Sequence, residues 1–139
     1  MKKLFYLTGL LGILFVSSCA SDKNDDPNAP QPTTDIRDKF VAYWNVNENS
    51  ATAGINTHTV NIIKSTSYSS EIIINNFSGL SVSARASVNN NILTIPFQTI
   101  GSIGYAKGSG TLTSATNISM SYTTTIGSSR DSCTAIYTK

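Results

Sequence analysis

Between residues 40 and 138, apolar and polar side chains alternate with a period of two in most segments. This period places successive side chains on opposite faces of a strand, so the pattern predicts half-buried β-strands rather than helices. Clusters of Gly, Asn and Ser separate the segments, as is typical of turns. The predicted strands are residues 40–48, 55–64, 71–77, 82–88, 92–98, 105–113, 117–126 and 130–138.

The connections between these strands are short, which favours an antiparallel meander in which sequence neighbours pair. One buried face and one wet face per strand require either a closed barrel or two packed sheets. We therefore expect an all-β fold of about eight strands closed as a small barrel, with a two-sheet β-sandwich as the alternative. Thr34 is a capping residue ahead of the acidic Asp35, and this pair predicts a short N-terminal helix before the first strand.

Three details of the strands carry further expectations. Pro96 cannot donate to the ladder, so it indicates a sheet edge, a bulge or a non-donating position. Phe97 is expected on the same inward face as Ile95. Gly108 and Gly110 share the face of the following apolar residue, which indicates a sharp bend or close packing under a large side chain.

The start of the chain has a different pattern. Lys2 and Lys3 precede an apolar run over residues 4–16, which is the charged-then-apolar pattern of a secretory signal peptide. The run is shorter than the ~20 apolar residues that a membrane-spanning helix needs. Residues 1–18 are therefore predicted to be a cleaved signal peptide.

Residues 16–19, Val-Ser-Ser-Cys, resemble the lipobox of bacterial lipoproteins. This resemblance implies that Cys19 receives a diacylglycerol and a further acyl chain, and two or more chains anchor a protein stably to a membrane. The alternative is an ordinary signal peptide followed by an incidental cysteine. Ala20 stands where Asp would favour inner-membrane retention, so the resemblance implies the outer membrane. The acidic residues 21–26 fit both a cell-surface export tether and a plain solvated one.

Residues 19–34 contain three prolines among polar side chains, so we predict a lipidated, disordered tether ahead of a single domain over residues 35–139. The full chain has 10 basic and 8 acidic side chains. Removing Lys2 and Lys3 with the signal peptide leaves no net charge. Because no basic stripe is present, nucleic acid is not an expected partner.

Candidate catalytic and metal chemistry is sparse. A zinc site needs three or four His, Cys or acidic ligands. The domain has one histidine, His58, and one cysteine, Cys133. Cys133 is expected to be buried, with a reactive or intermolecular thiol as the alternative. The acids that glycoside hydrolysis would use lie mostly at strand ends or in the predicted helix, where we expect solvated side chains. No enzyme activity, metal or cofactor is therefore expected. Those acids are Asp35, Asp38, Glu48, Glu71 and Asp131.

Residues 35–46 resemble the start of lipocalin-like (calycin-like) barrels, in which a short helix leads into a strand that carries Gly-x-Trp. Ala42-Tyr43-Trp44 departs from that motif at the glycine. Residues 108–112 and 118–122 are similar to late strands of small lipocalin-like bacterial lipoproteins. The resemblance implies a lipocalin-like barrel in which a late basic residue packs over the tryptophan, and Arg130 is the late arginine.

Four inward side chains, Trp44, His58, Tyr122 and Tyr137, combine apolar bodies with polar tips and are the predicted ligand-binding residues. The alternative is that they only fill the core. The sequence thus predicts a lipid-anchored envelope protein that binds a small apolar or amphipathic ligand. The alternative function is a structural or interaction protein that docks an envelope protein or a glycan.

Overall fold

The computed structural model describes residues 34–139, which form one closed antiparallel barrel. Every strand pairs with its sequence neighbours, and β1 also pairs with β8 to close the sheet. The predicted eight-stranded meander is confirmed, and the sandwich alternative is wrong. The predictions for the signal peptide, for Cys19 and for tether residues 19–33 lie outside the described residues. The strands are β1 Ala42–Ser50, β2 Gly54–Lys64, β3 Glu71–Asn75, β4 Ser83–Asn89, β5 Ile92–Ile100, β6 Gly104–Ser114, β7 Asn117–Ile126 and β8 Ser129–Thr138.

The barrel interior is filled by alternate side chains from all eight strands, as the period of two predicts. In β3, where three consecutive isoleucines left the inward face ambiguous, Ile72 and Ile74 are buried and Ile73 faces outward. The largest side chains that are fully buried include Trp44, Tyr137, Phe40 and Phe77.

The end of the barrel where β1 begins, here called the floor, is crossed by the residues ahead of β1. The predicted N-terminal helix is wrong. Two turns take its place, closed by bonds from Asp38 N to Asp35 O (2.9 Å) and from Phe40 N to Arg37 O (3.0 Å). The Arg37 guanidinium donates to the carbonyl oxygens of Ser65, Tyr68 and Glu71 at 3.1–3.2 Å. These long-range bonds hold the segment across the floor. A helix that continued through the segment would instead carry it away from the floor.

The Pro96 position is a β-bulge, one of the alternatives that the sequence left open. The pairing of β5 with β6 shifts between Ile95 and Gln98, which places one extra residue in β5. The shift turns Phe97 to the outside, where 70% of its side chain is exposed. The expectation of an inward Phe97 is therefore wrong, because the bulge changes the alternation within the strand.

The glycines of β6 let two large side chains of β7 cross close to the backbone. A Cβ atom at Gly108 would lie 2.6 Å from Tyr122 Cα, and one at Gly110 would collide with the Met120 sulfur. The prediction of close packing under a large side chain is confirmed at both positions.

The eight strands, the core and the floor contacts described here all lie within residues 34–139, as parts of one compact unit. The helix that the structure describes is the short 3-10 helix Phe77–Gly79, and within residues 34–139 no helix has the length and apolar character to cross a bilayer.

Candidate functional site

The candidate site lies at the end of the barrel opposite the floor, here called the mouth, where β1 and β7 end and β8 begins. The inward alternation of β1 continues past Trp44 and Val46 to Glu48 and Ser50, which are 3% and 5% exposed. The expectation of a solvated Glu48 at a strand end is wrong. β1 extends to Ser50, and Glu48 occupies one of its inward-facing alternate positions. The carboxyl group of Glu48 therefore points into the barrel.

The Glu48 carboxylate accepts two hydrogen bonds from buried hydroxyl groups. Ser78 Oγ donates at 3.0 Å from Oε1 and 3.1 Å from Oε2, and the Tyr122 hydroxyl donates to Oε2. Burial, more than this contact, raises the pKa of Tyr122, so its hydroxyl keeps the proton that it donates. Among the described residues, no Lys or Arg forms an ion pair with Glu48. Glu48 is thus a buried acid held by neutral donors.

Ser78 reaches Glu48 from a tightly wound segment, residues 76–81, here called the mouth loop. The backbone of Asn76, Ser78 and Ser81 has positive φ (60°, 55° and 57°), as does that of Gly79 (68°). For residues with a side chain this conformation is costly, and it concentrates at functional sites. The loop is fixed by the Asn76 amide, which donates to Thr59 O at 2.8 Å, and by the fully buried Phe77. The strained backbone is what turns the Ser78 hydroxyl toward the interior.

A cavity of ≈ 410 Å³ opens between the mouth loop and the ends of β1, β2, β7 and β8. This volume falls within the range of small-molecule pockets. Its inner part is polar, with Glu48, Ser78 and Thr124 among the lining residues. Its outer part carries apolar side chains, which are Ile55, Leu80 and Ile126.

A second acid, Asp131, lines the same cavity. Ser50 Oγ donates to its Oδ2 at 2.6 Å, and Thr52 N donates to its Oδ1 at 3.1 Å. The hydrogen bond from Ser50 is the main cause that lowers the pKa of Asp131, so this carboxylate is ionised at neutral pH. Cys133 is buried nearby, as expected, and burial raises the pKa of its thiol to about 12.

Two polar side chains next to Glu48 have buried atoms without a hydrogen-bond partner among the described residues, namely both ring nitrogens of His58 and the Tyr137 hydroxyl. Tyr137 and His58 both pair with Val46, one inward position before Glu48 on β1. Burial, and after it the charge of Glu48, raises the pKa of Tyr137. Burial lowers the pKa of His58, while the charge of Glu48 opposes that shift. Both residues therefore have unused hydrogen-bonding capacity beside a buried acid.

The four predicted ligand-binding residues are split between the two ends of the barrel. Tyr122 contacts Glu48 directly, whereas Tyr137 and His58 both pair with Val46, the inward residue before Glu48 on β1. Trp44 lies near the floor, fully buried, and its Nε1 donates to Phe40 O at 2.8 Å. None of the four predicted residues is among those that line the mouth cavity.

The basic residue over Trp44 is Lys139 rather than Arg130. Lys139 Nζ lies 4.4 Å from the indole centroid, a cation–π distance, and it also donates to Lys39 O at 3.1 Å. Arg130 pairs with Thr125 near the mouth and is exposed, so it cannot reach the floor. The expectation for Arg130 is wrong because β8 runs from the mouth to the floor, which brings Lys139, the residue after β8, to the indole.

Outside the barrel, Phe97 and Tyr105 form a stacked pair with ring centroids 5.3 Å apart and planes 9° apart. Both rings are exposed, Tyr105 by 45%. Lys107 and Arg130 line the same shallow depression. These four residues are here called the outer aromatic patch, and the sequence did not indicate the pair because the bulge was needed to expose Phe97.

Within residues 34–139, no group of three or more His, Cys, Asp or Glu side chains is arranged to hold a metal ion. No family model matches the sequence, and no curated protein matches it. Two solved barrels are similar in structure. A redesigned β-barrel, b11L5F_LGL, superposes with a TM-score of 0.55 at 12% identity, covering 77% of this chain and 96% of its own. EF1p2_mFAP2b bound to DFHBI superposes with a TM-score of 0.55 at 13% identity, covering 76% of this chain and 99% of its own. At such identities the likeness shows the barrel fold alone.

Proposed function

We propose that this protein is a lipid-anchored lipoprotein of the bacterial outer membrane whose barrel binds a small amphipathic ligand at its mouth. The observation that carries the binding proposal is the two-part lining of the mouth cavity. Buried hydrogen-bonding groups lie at its inner end and exposed apolar side chains, such as Ile55 and Ile126, lie at its rim. A guest with a polar head and an apolar body would satisfy both parts.

Unused hydrogen-bonding capacity beneath the cavity supports a binding role over simple core filling. A core that only needs to be filled gains nothing from a buried carboxylate, because burying an acid without an opposite charge is costly. EF1p2_mFAP2b, a barrel of similar fold, is bound to the small molecule DFHBI. A closed barrel of this size therefore has room for a guest of that kind. We propose binding rather than catalysis as the role of the mouth.

Native mass spectrometry of the protein purified from its own cells tests the binding proposal. We expect an added small-molecule mass that disappears in Thr124→Trp, because Thr124 is buried in the cavity lining and an indole there fills the mouth. The matched control is Thr111→Trp, on the exposed face of β6, which should keep the added mass. A bare mass in the wild type, together with no binding of any amphipathic probe at the mouth, would reject a binding role.

The anchoring part of the proposal rests on residues 16–19 and on how the chain enters the barrel. The described segment ahead of β1 enters the barrel at the floor, which is the end opposite the cavity. We expect Cys19→Ala to release the protein from the membrane fraction or to leave the precursor uncleaved. Ser17→Ala keeps a small residue in the motif and should leave fractionation and processing as in the wild type.

The outer aromatic patch supports a second candidate function, docking of an acidic glycan. The exposed rings of Phe97 and Tyr105 offer a face for a sugar, and Lys107 and Arg130 offer positive charge to a carboxylated one. We expect Phe97→Ser to lose binding to a uronic-acid oligosaccharide, measured by titration calorimetry. Tyr43→Ser, which removes an exposed ring elsewhere on the barrel, is the matched control. Equal binding by both variants, or by neither, would count against this function.

A further inference from the structure

We infer that the mouth cavity selects guests whose polar head is a positively charged ammonium group, with Glu48 as its buried counter-charge. This inference deepens the proposed binding function and rests on it. The juxtaposition that carries it is a cavity with two acids, Glu48 and Asp131, and no lysine or arginine among its lining residues.

The hydrogen-bond inventory of Glu48 leaves room for a donor. An ionised carboxylate has about four acceptor sites. Ser78 and Tyr122 each supply one hydroxyl hydrogen, so Ser78 can fill a single site although it lies within reach of both oxygens. About two acceptor sites therefore remain, and an ammonium head has three N–H donors to offer.

The neighbouring groups also lack a partner of that kind. The Tyr137 hydroxyl is fully buried and has no hydrogen-bond partner among the described residues. Tyr137 pairs with Val46, the inward residue of β1 before Glu48, so its unused oxygen lies one layer below that acid. His58 is the one side chain near Glu48 that could become cationic, and its burial disfavours that form. Among the described residues, no lysine or arginine is thus placed to pair with Glu48, and a cationic guest would supply that partner.

The charge balance excludes the opposite class of guest. A carboxylate or phosphate head in this cavity would lie among two acids with no cation to pair with, and like charges at close range are repulsive. A neutral hydroxyl head can form hydrogen bonds but leaves the buried charge uncompensated. The apolar rim then holds the body of the guest, which makes an alkylammonium the simplest fitting compound.

The test compares three probes of equal alkyl length, n-octylammonium, n-octanol and octanoate, on the full-length protein at neutral pH. Binding is followed through amide NMR shifts of β1, the mouth loop and the start of β8. We expect octylammonium to bind at the mouth at least tenfold more tightly than octanol, and octanoate not to bind there. Glu48→Gln should weaken octylammonium binding by at least tenfold and bring it close to that of octanol. Glu71→Gln, an acid on the outer side of β3 that faces Arg85, is the matched control and should change nothing.

The outcomes separate this inference from the function on which it rests. If octanol binds at the mouth as tightly as octylammonium, or if Glu48→Gln leaves the preference intact, the charge inference is overturned and the binding function stands. If none of the three probes binds at the mouth, both are overturned. Should Glu48→Gln fail to fold, the order of the three probes on the wild type still decides the matter, and Asp131→Asn provides a second charge-removing variant.

Discussion

The hydrogen bond between Tyr122 and Glu48 makes a specific prediction about stability. Tyr122→Phe removes one hydroxyl group and keeps the ring, which packs on Phe77 with centroids 4.6 Å apart. A hydrogen bond to a charged group contributes about 1.5–3 kcal/mol to stability, and the acceptor left behind is buried. We expect Tyr122→Phe to lower the free energy of unfolding by about 2 kcal/mol, because no apolar area is lost to add to that figure. For a domain of about 100 residues this corresponds to a fall in Tm of roughly 8–16 °C.

Urea unfolding followed by the fluorescence of Trp44, the one tryptophan of the chain, measures this change. Tyr105→Phe is the matched control, since its ring is 45% exposed on the outer face and the change should stay within about 0.5 kcal/mol. The loss of unfolding free energy caused by Tyr122→Phe should also shrink in a Glu48→Met background, where the hydrogen-bond acceptor is absent. A loss under about 0.5 kcal/mol, or one that persists in full beside Glu48→Met, would refute the reasoning.

Three further predictions concern the same barrel. Gly108→Ala should lower the free energy of unfolding in urea by about 3 kcal/mol, because the added Cβ would meet the backbone of Tyr122. Gly127→Ala is the control: its φ of +59° is strained but the space around it is open, so the loss should be about 1 kcal/mol. Equal losses in the two variants would contradict the prediction. Cys133 should resist iodoacetamide at pH 8 in the folded state and react once urea unfolds the chain, since burial raises the pKa of its thiol to about 12; rapid labelling before unfolding would argue otherwise. Burial lowers the pKa of His58 in the folded state, so the unfolded chain binds a proton at His58 more readily than the folded chain does. The free energy of unfolding should therefore fall as pH drops below about 6.5, and it should stop falling once pH is below the folded pKa. The urea midpoint between pH 7.5 and 5 checks this, and His58→Asn should flatten the curve.

The strands could be predicted from the sequence because alternation and turn residues are local signals. The predicted segments 117–126 and 130–138 match β7 and β8 to within one residue. The closed meander follows from the same signals, because short links between half-buried strands leave few arrangements that cover every inner face.

Features that depend on contacts between distant residues were not accessible in the same way. The partner of Glu48 lies 74 residues away, so no local pattern indicated that Tyr122 would hold it. The alternation of inward and outward side chains in β1 was nevertheless a usable signal, because the next inward position after Val46 is Glu48. Lys139 over Trp44 was hidden for a related reason, because a terminal lysine carries no pattern of its own.

The bulge at Pro96 shows how one residue can mislead an otherwise reliable pattern. Strict alternation places Phe97 inside with Ile95, and the extra residue in β5 reverses this. The proline indicated that a bulge was possible, but which side chains would change face depends on the pairing with β6.

Closure of the sheet by β1 and β8 has a consequence for how the molecule can be made. Asn45 pairs with Thr138 and Ser50 with Cys133, so β1 acquires its second neighbour only when β8, the last strand of the barrel, has been synthesised. Until β8 is in place, β1 and β7 expose unsatisfied backbone groups that can pair with another molecule. Deleting residues of β8 would therefore do more than shorten one strand, because it would convert the closed barrel into an open sheet that is prone to aggregate.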